Sequence, residues 1–198
     1  MAANYGSFSG NPQAEWLSEP GNDRNMKLLQ DFWYDDPAGR RWLAPAGSIV
    51  DGASIPAPLW STVGSPYTGD YRRASVVHDV ACGDPAVPRR DADKMFYQAC
   101  LAGGCSFVQA ELLYAGVRIG AWVPRIRLWS AQVSRPLLAR SRAQPALAPA
   151  LPEESVLTTF REIAADLAAR PPRRSASARS FAEVEAIVDR HLAAKASQ

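Results

Sequence analysis

The sequence predicts an α+β fold: a small antiparallel sheet on the amino-terminal side, a three-helix core after it, and a helical carboxy-terminal tail. Three observations predict it. Between Met26 and Val50, short apolar and aromatic runs (Leu28-Leu29, Phe32-Trp33-Tyr34, Trp42-Leu43, Ile49-Val50) alternate with turn chemistry such as Asp35-Asp36-Pro37-Ala38-Gly39. From Asp70 onward the apolar spacing turns helical. Past a Pro/Ala stretch, two amphipathic segments close the chain.

Taken in order, residues 1–25 are rich in Gly, Asn, Ser and Pro and read as an irregular arm. The core spans 26–130. Pro56 and Pro58 suit the first turn of a short helix carrying Leu59 and Trp60. A helix over Asp70–Cys82 aligns Ala74, Val77 and Ala81, and Gly83-Asp84-Pro85 ends it. A second helix, Pro88–Leu101, carries Met95, Phe96 and Cys100 and stops at Gly103-Gly104. A third, Ser106–Ile119, carries Val108, Leu112, Ala115 and Ile119, and these three helices are expected to form the hydrophobic core. Residues 131–152 have linker composition. In the tail, 153–198, Val156, Phe160, Ile163 and Leu167 form one stripe, and Phe181, Val184, Ile187, Val188 and Leu192 another. Such stripes dock on the core or on another copy of the chain, so self-association through the tail is one expectation.

Bulk properties exclude more than they name. Twenty-two basic residues against 20 acidic ones leave a net charge of +2, too little to attract nucleic acid. The first ten residues lack the basic start and apolar run of a secretory leader, and no apolar run of about 18 residues follows. Synthesis and retention in a cytoplasm are expected. Three cysteines without C-x-x-C spacing argue for free thiols, although Cys100 and Cys105 lie close enough in sequence to pair in an oxidising compartment.

Chemistry has few places to reside. Of two histidines, His191 lies in the tail with no obvious partner, which leaves His78 as the candidate general base. At 1.5 Å rise per residue, His78 about four residues before the interhelical turn and Asp93 about five after it would sit side by side across an antiparallel hairpin. A carboxylate there fixes the imidazole tautomer and leaves the other ring nitrogen to deprotonate water. Asp79, about 100° around the helix, is free for another role, such as a hard-cation ligand with Asp51 and the Gly52 backbone. Each residue also has a plainer reading. A His-Asp pair is often a hydrogen-bonded helix end, Asp51 a turn residue, and Asp93 a charge favoured near a helix start. Cys82, one turn from His78, or Cys105 keeps a cysteine hydrolase open, whereas a His-Asp metal phosphohydrolase lacks enough histidines.

Together, Val50-Asp51-Gly52-Ala53-Ser54-Ile55-Pro56 with Leu59-Trp60, Tyr71-Arg72-Arg73-Ala74-Ser75-Val76-Val77-His78-Asp79 and Arg90-Asp91-Ala92-Asp93-Lys94-Met95-Phe96-Tyr97 resemble the signature of domain-of-unknown-function family 1353, commonly encoded in phages and prophages. The order of elements is also similar to the small bacterial and fungal phospholipase A2 enzymes, with Tyr114-Ala115-Gly116-Val117-Arg118-Ile119-Gly120 matching a later helix of theirs. That resemblance implies a phospholipase A2-like core and a calcium-dependent lipid acyl-hydrolase. His78 would be the base and Asp93 its orienter, with Asp51, Gly52 and Asp79 as Ca2+ ligands. The tyrosine of those enzymes four residues after the histidine is Cys82 here. The same residues also suit a non-enzymatic module associated with a virion, tail or lysis apparatus, for which phage structural proteins would be partners. Trp122-Val123-Pro124-Arg125-Ile126-Arg127-Leu128-Trp129 reads either as a packed domain edge or as a strip for a phospholipid or membrane surface. Near a helix end, His78 is expected to be removable with little loss of buried volume.

Overall fold

The computed structural model describes residues 4–18, 25–64, 69–122, 153–169 and 180–196. It is an α+β fold, with two three-stranded antiparallel sheets in place of the one expected. One orders β1 (Ser7–Phe8), β4 (Phe32–Asp35) and β5 (Arg41–Ala44); the other orders β2 (Ala14–Trp16), β3 (Met26–Leu28) and β6 (Ile49–Val50). The amino-terminal arm is therefore not irregular throughout. Its short segments gain backbone partners from distant strands, Phe8 opposite Tyr34 and Ala14 opposite Leu28, and no local pattern announces such pairings.

Alternation works as the residue types demand. Phe32 and Tyr34 on β4 and Trp42 and Ala44 on β5 turn inward, while Arg41 and Leu43 face solvent. On the inner faces lies α2 (Arg72–Gly83), which contacts β4, β5 and β6. Beside it run α3 (Arg89–Gly103) and α4 (Phe107–Trp122), preceded by a 3-10 turn over Ala57–Leu59 and the short helix α1 (Trp60–Val63). The α3–α4 connection is set by Gly104 at φ +110°, a left-handed cap that brings the Cys105 amide to the Cys100 carbonyl at 3.0 Å.

The tail docks on this body. Helix α5 (Glu153–Ala169) packs against α4 and the 3-10 turn, and α6 (Phe181–Ala196) packs against α4 and α5. The stripes read from the sequence, from Val156 to Leu167 and from Val184 to Leu192, are buried in these contacts. Arg90 on α3 bonds Glu185 at 2.7 Å and also Asp189, holding α6 against the amino-terminal turn of α3. His191, expected to lack a partner, lies 3.3 Å from Asp166. The linker and residues 123–129 of the Trp/Arg strip lie outside the described residues.

One glycine ties α4 to the loop ahead of the site. A Cβ on Gly120 would overlap the Ser54 carbonyl oxygen, so α4 reaches the 53–56 loop only because no side chain intervenes. Gly120→Ala is expected to destabilise the fold by about 1–3 kcal/mol, the usual cost of overpacking, read from urea unfolding midpoints. A midpoint unchanged from wild type would mean that the contact is not maintained in solution.

Candidate functional site

The hairpin of α2 and α3 brings together what the sequence placed side by side. His78 Nε2 lies 2.8 Å from Asp93 Oδ1, and both side chains are fully buried. Turn counting worked because the connection over residues 84–88 is short and α2 packs directly on α3, so equal distances from the turn become contact. Phe96, one turn beyond Asp93, places its ring 4.7 Å from the imidazole and seals that side.

Asp93 has more partners than the sequence suggested. Arg89 Nε, one turn earlier on α3, donates to Oδ1 at 2.9 Å, and Arg118 Nη1, from α4, donates to Oδ2 at 3.3 Å. Burial alone would raise the Asp93 pKa, but the His78 hydrogen bond and the Arg89 and Arg118 charges hold it below the usual carboxylate range. For His78, burial outweighs the pull of Asp93 and lowers the pKa, so the ring is neutral at pH 7. An ionised carboxylate only accepts, which assigns the ring proton to Nε2 and leaves Nδ1 a lone pair. That is the tautomer a general base needs.

Both arginines were missed. The Arg89 signal was present, since Arg and Asp four apart share a helix face. Arg118 gave no such signal, because only the packing of α4 across α3 brings it to Asp93. The expectation that His78 could be removed cheaply also fails: the ring is fully enclosed, because α3 covers the end of α2.

Cys82 is the remaining neighbour of the ring, with Sγ 3.4 Å from Nε2 and 3.8 Å from Nδ1. Burial pushes its pKa far up, so the sulfur is a protonated thiol and a poor nucleophile. His78, Cys82 and Asp93 offer ligand atoms within 4.8 Å of one another. Two guanidinium groups already occupy the Asp93 oxygens and would repel a metal ion there.

Asp79 points its chemistry elsewhere. Its Oδ2 accepts the Asp51 backbone N–H at 2.8 Å, and the Gly52 N–H also bonds the carboxylate, joining α2 to the turn in which Gly52 has φ +99°. Burial and the nearby Asp51 charge raise the Asp79 pKa well above its ordinary value, against the pull of those N–H groups. Two carboxylates in mutual repulsion, with hard oxygen donors, are a donor set that a divalent cation relieves.

The raised pKa sets a sign for stability. A carboxyl whose folded pKa lies above its unfolded one contributes stability below the unfolded pKa, and that contribution is lost as pH rises through the folded pKa. Asp79→Asn should therefore be more thermostable than wild type in EDTA, with a gap that widens from pH 4 upward. Melting scans across pH 4–8 check this; a parallel offset would show that the carboxyl is not titrating.

The chain is 36% identical over 113 residues to "Uncharacterized protein y4jT" of Sinorhizobium fredii, covering 57% of this chain and 33% of that protein. It is 37% identical over 98 residues to "Uncharacterized protein y4iH" of the same organism, covering 50% of this chain and 41% of that one. The chain thus spans between a third and about two fifths of the length of these relatives. No solved structure matches. Residues 26–117, which hold both sheets' central strands and every residue of the site except Arg118, match the family described as "Protein of unknown function (DUF1353)".

Proposed function

We propose that the chain is a calcium-dependent ester hydrolase acting on phospholipid acyl groups, in the manner of phospholipase A2 enzymes. The observation that supports this most is the buried 2.8 Å bond from His78 Nε2 to Asp93, which leaves Nδ1 as the basic atom. Catalysis requires an opening that admits water to the enclosed ring; His78 then takes a proton from that water at Nδ1, and Asp93 steadies the imidazolium that forms. Arg89 and Arg118 keep Asp93 ionised and correctly turned. Asp51, Asp79 and the Gly52 backbone would hold Ca2+, which supplies polarisation of the ester carbonyl when bound. A phospholipid surface would be the partner, and a phage or prophage setting would give such an activity a use in lysis or envelope modification. Among the described residues no helix is long and apolar enough to cross a membrane.

A second reading draws on the full burial of His78 and the way Asp79 ties down the 51–52 turn: both residues then brace a non-enzymatic phage module. Calorimetric titration with calcium, paired with an assay of fatty-acid release from mixed phospholipid micelles, separates the two. The hydrolase binds calcium, releases fatty acid only in its presence, and loses both properties in Asp79→Asn. Absence of binding and of release leaves the bracing module as the account of the same residues.

A further inference from the structure

All three cysteines are free thiols, but they are not equivalent. Cys82 lies against the His78 ring, whereas Cys100 and Cys105 meet one another at the corner between α3 and α4. The backbone brings them there. Gly104, left-handed at φ +110°, donates its N–H to the Leu101 carbonyl at 3.2 Å, and the Cys105 N–H reaches back to the Cys100 carbonyl at 3.0 Å. This pair of bonds is the Schellman ending of a helix, in which the side chains three residues before the cap and two after it come into contact. Cys100 and Cys105 hold those two places, and their thiols hydrogen-bond one another.

An apolar contact would serve the cap by itself, and a buried cysteine can supply one as a small hydrophobe. Two sulfurs already in contact across a fixed turn can do more, because a disulfide needs its β-carbons held about 3.5–4.5 Å apart. The two thiols also differ from each other. Cys100 is wholly enclosed, and burial pushes its pKa well up. Cys105 is 7% exposed, and the hydrogen bond from Cys100 lowers its pKa against the opposing effects of burial and of Asp70. The more acidic and more accessible thiol is the one that attacks an oxidant, and its enclosed neighbour resolves the product.

We infer that Cys100 and Cys105 form a reversible dithiol site for a peroxide oxidant, with Cys105 as the attacking sulfur and Cys100 as the resolving one. The Cys105 thiolate attacks one peroxide oxygen and breaks the O–O bond. A sulfenic acid forms, and the departing hydroxide takes up the proton that Cys105 released, giving water. Cys100 then attacks the sulfenic sulfur. The S–S bond forms as the S–OH bond breaks, and that hydroxide leaves with the Cys100 proton as a second water. The two sulfurs have given up two electrons and the peroxide oxygens have gained them. A small thiol reductant reverses the bond by exchange and ends as its own disulfide. The inference is independent of ester hydrolysis, since neither thiol takes part in the His78–Asp93 or Asp51–Asp79 contacts.

Peptide mapping of the full chain tests it. The protein is treated with hydrogen peroxide, unfolded in urea with iodoacetamide, and digested with trypsin without reductant. Cys100 and Cys105 fall in one tryptic peptide, residues 95–118, and Cys82 in another, residues 74–89. The first is expected to be lighter by two hydrogens and to carry no adduct, while the second keeps one alkylated thiol. Dithiothreitol before alkylation should restore both adducts to 95–118. In Cys100→Ser, Cys105 should stop at the sulfenic acid and be trapped by dimedone; in Cys105→Ser, Cys100 should be trapped at least tenfold more slowly. Two alkylated thiols in 95–118 after peroxide, or oxidation of Cys82 ahead of this pair, would overturn the proposal. Equal trapping in the two variants would overturn the assignment of attacking and resolving sulfurs. The wild-type map decides the pairing whether or not either variant folds.

Discussion

Asp93→Ala is expected to destabilise the protein by about 3–5 kcal/mol, the cost of leaving buried charge without its counter-ion. Asp93 is fully enclosed and is the common acceptor for His78, Arg89 and Arg118, so its removal strands three donors at once. Arg89 loses most, because its ion pair is with Asp93, whereas Arg118 keeps Asp189 at 3.2 Å. Urea unfolding followed by fluorescence measures the loss. A change under about 1 kcal/mol would mean that water reaches the three donors freely, as at an exposed pair. The same network sets the response to acid. Both His78 and Asp93 have folded pKa values below their unfolded ones, so each contributes stability above its unfolded pKa and loses it as pH falls. Stability should decline first as pH drops below 6.5, where the unfolded histidine begins to take a proton, and again below the ordinary carboxylate range. Asp93→Ala should show a smaller second decline, since Asp35, held down by Arg41, still titrates there.

His78→Gln is expected to lower calcium-stimulated fatty-acid release by about 10²–10⁴-fold, the range over which a positioned general base contributes. Glutamine is the informative choice. Its amide retains a donor for Asp93 and part of the ring's volume, whereas His78→Ala would open a cavity against Phe96 and confound catalysis with stability. Calcium affinity should be unchanged in His78→Gln, because the proposed ligands belong to Asp51, Gly52 and Asp79. Release rates from mixed micelles, read beside calcium calorimetry on the same preparation, check both halves. Release undiminished in a folded His78→Gln variant would exclude His78 as the base and return the dyad to a bracing role.

What could be read from the chain alone was whatever depends on local periodicity. The helices α2 to α6 and the stripes of the tail follow from spacing, because a 3.6-residue repeat places side chains on faces regardless of what packs there, but on α4 the expected stripe is corrected: Val108 is exposed and Leu112 half-buried, while Leu113, Tyr114 and Val117 are buried because α4 is covered on more than one face. The meeting of His78 with Asp93 was legible for a related reason: a short hairpin converts sequence distance into spatial distance. Everything that depends on a third element was not. Strands β1 and β2 are too short to carry a signal and exist through distant backbone partners. The second sheet, the closure over His78 that makes its removal costly, and the reach of Arg118 from α4 to Asp93 come from how elements stack. Tertiary packing also decided the electrostatics. A neutral His78, an ionised Asp93 and a strained Asp51–Asp79 pair are consequences of burial and of charges brought from other elements, which no spacing along the chain encodes.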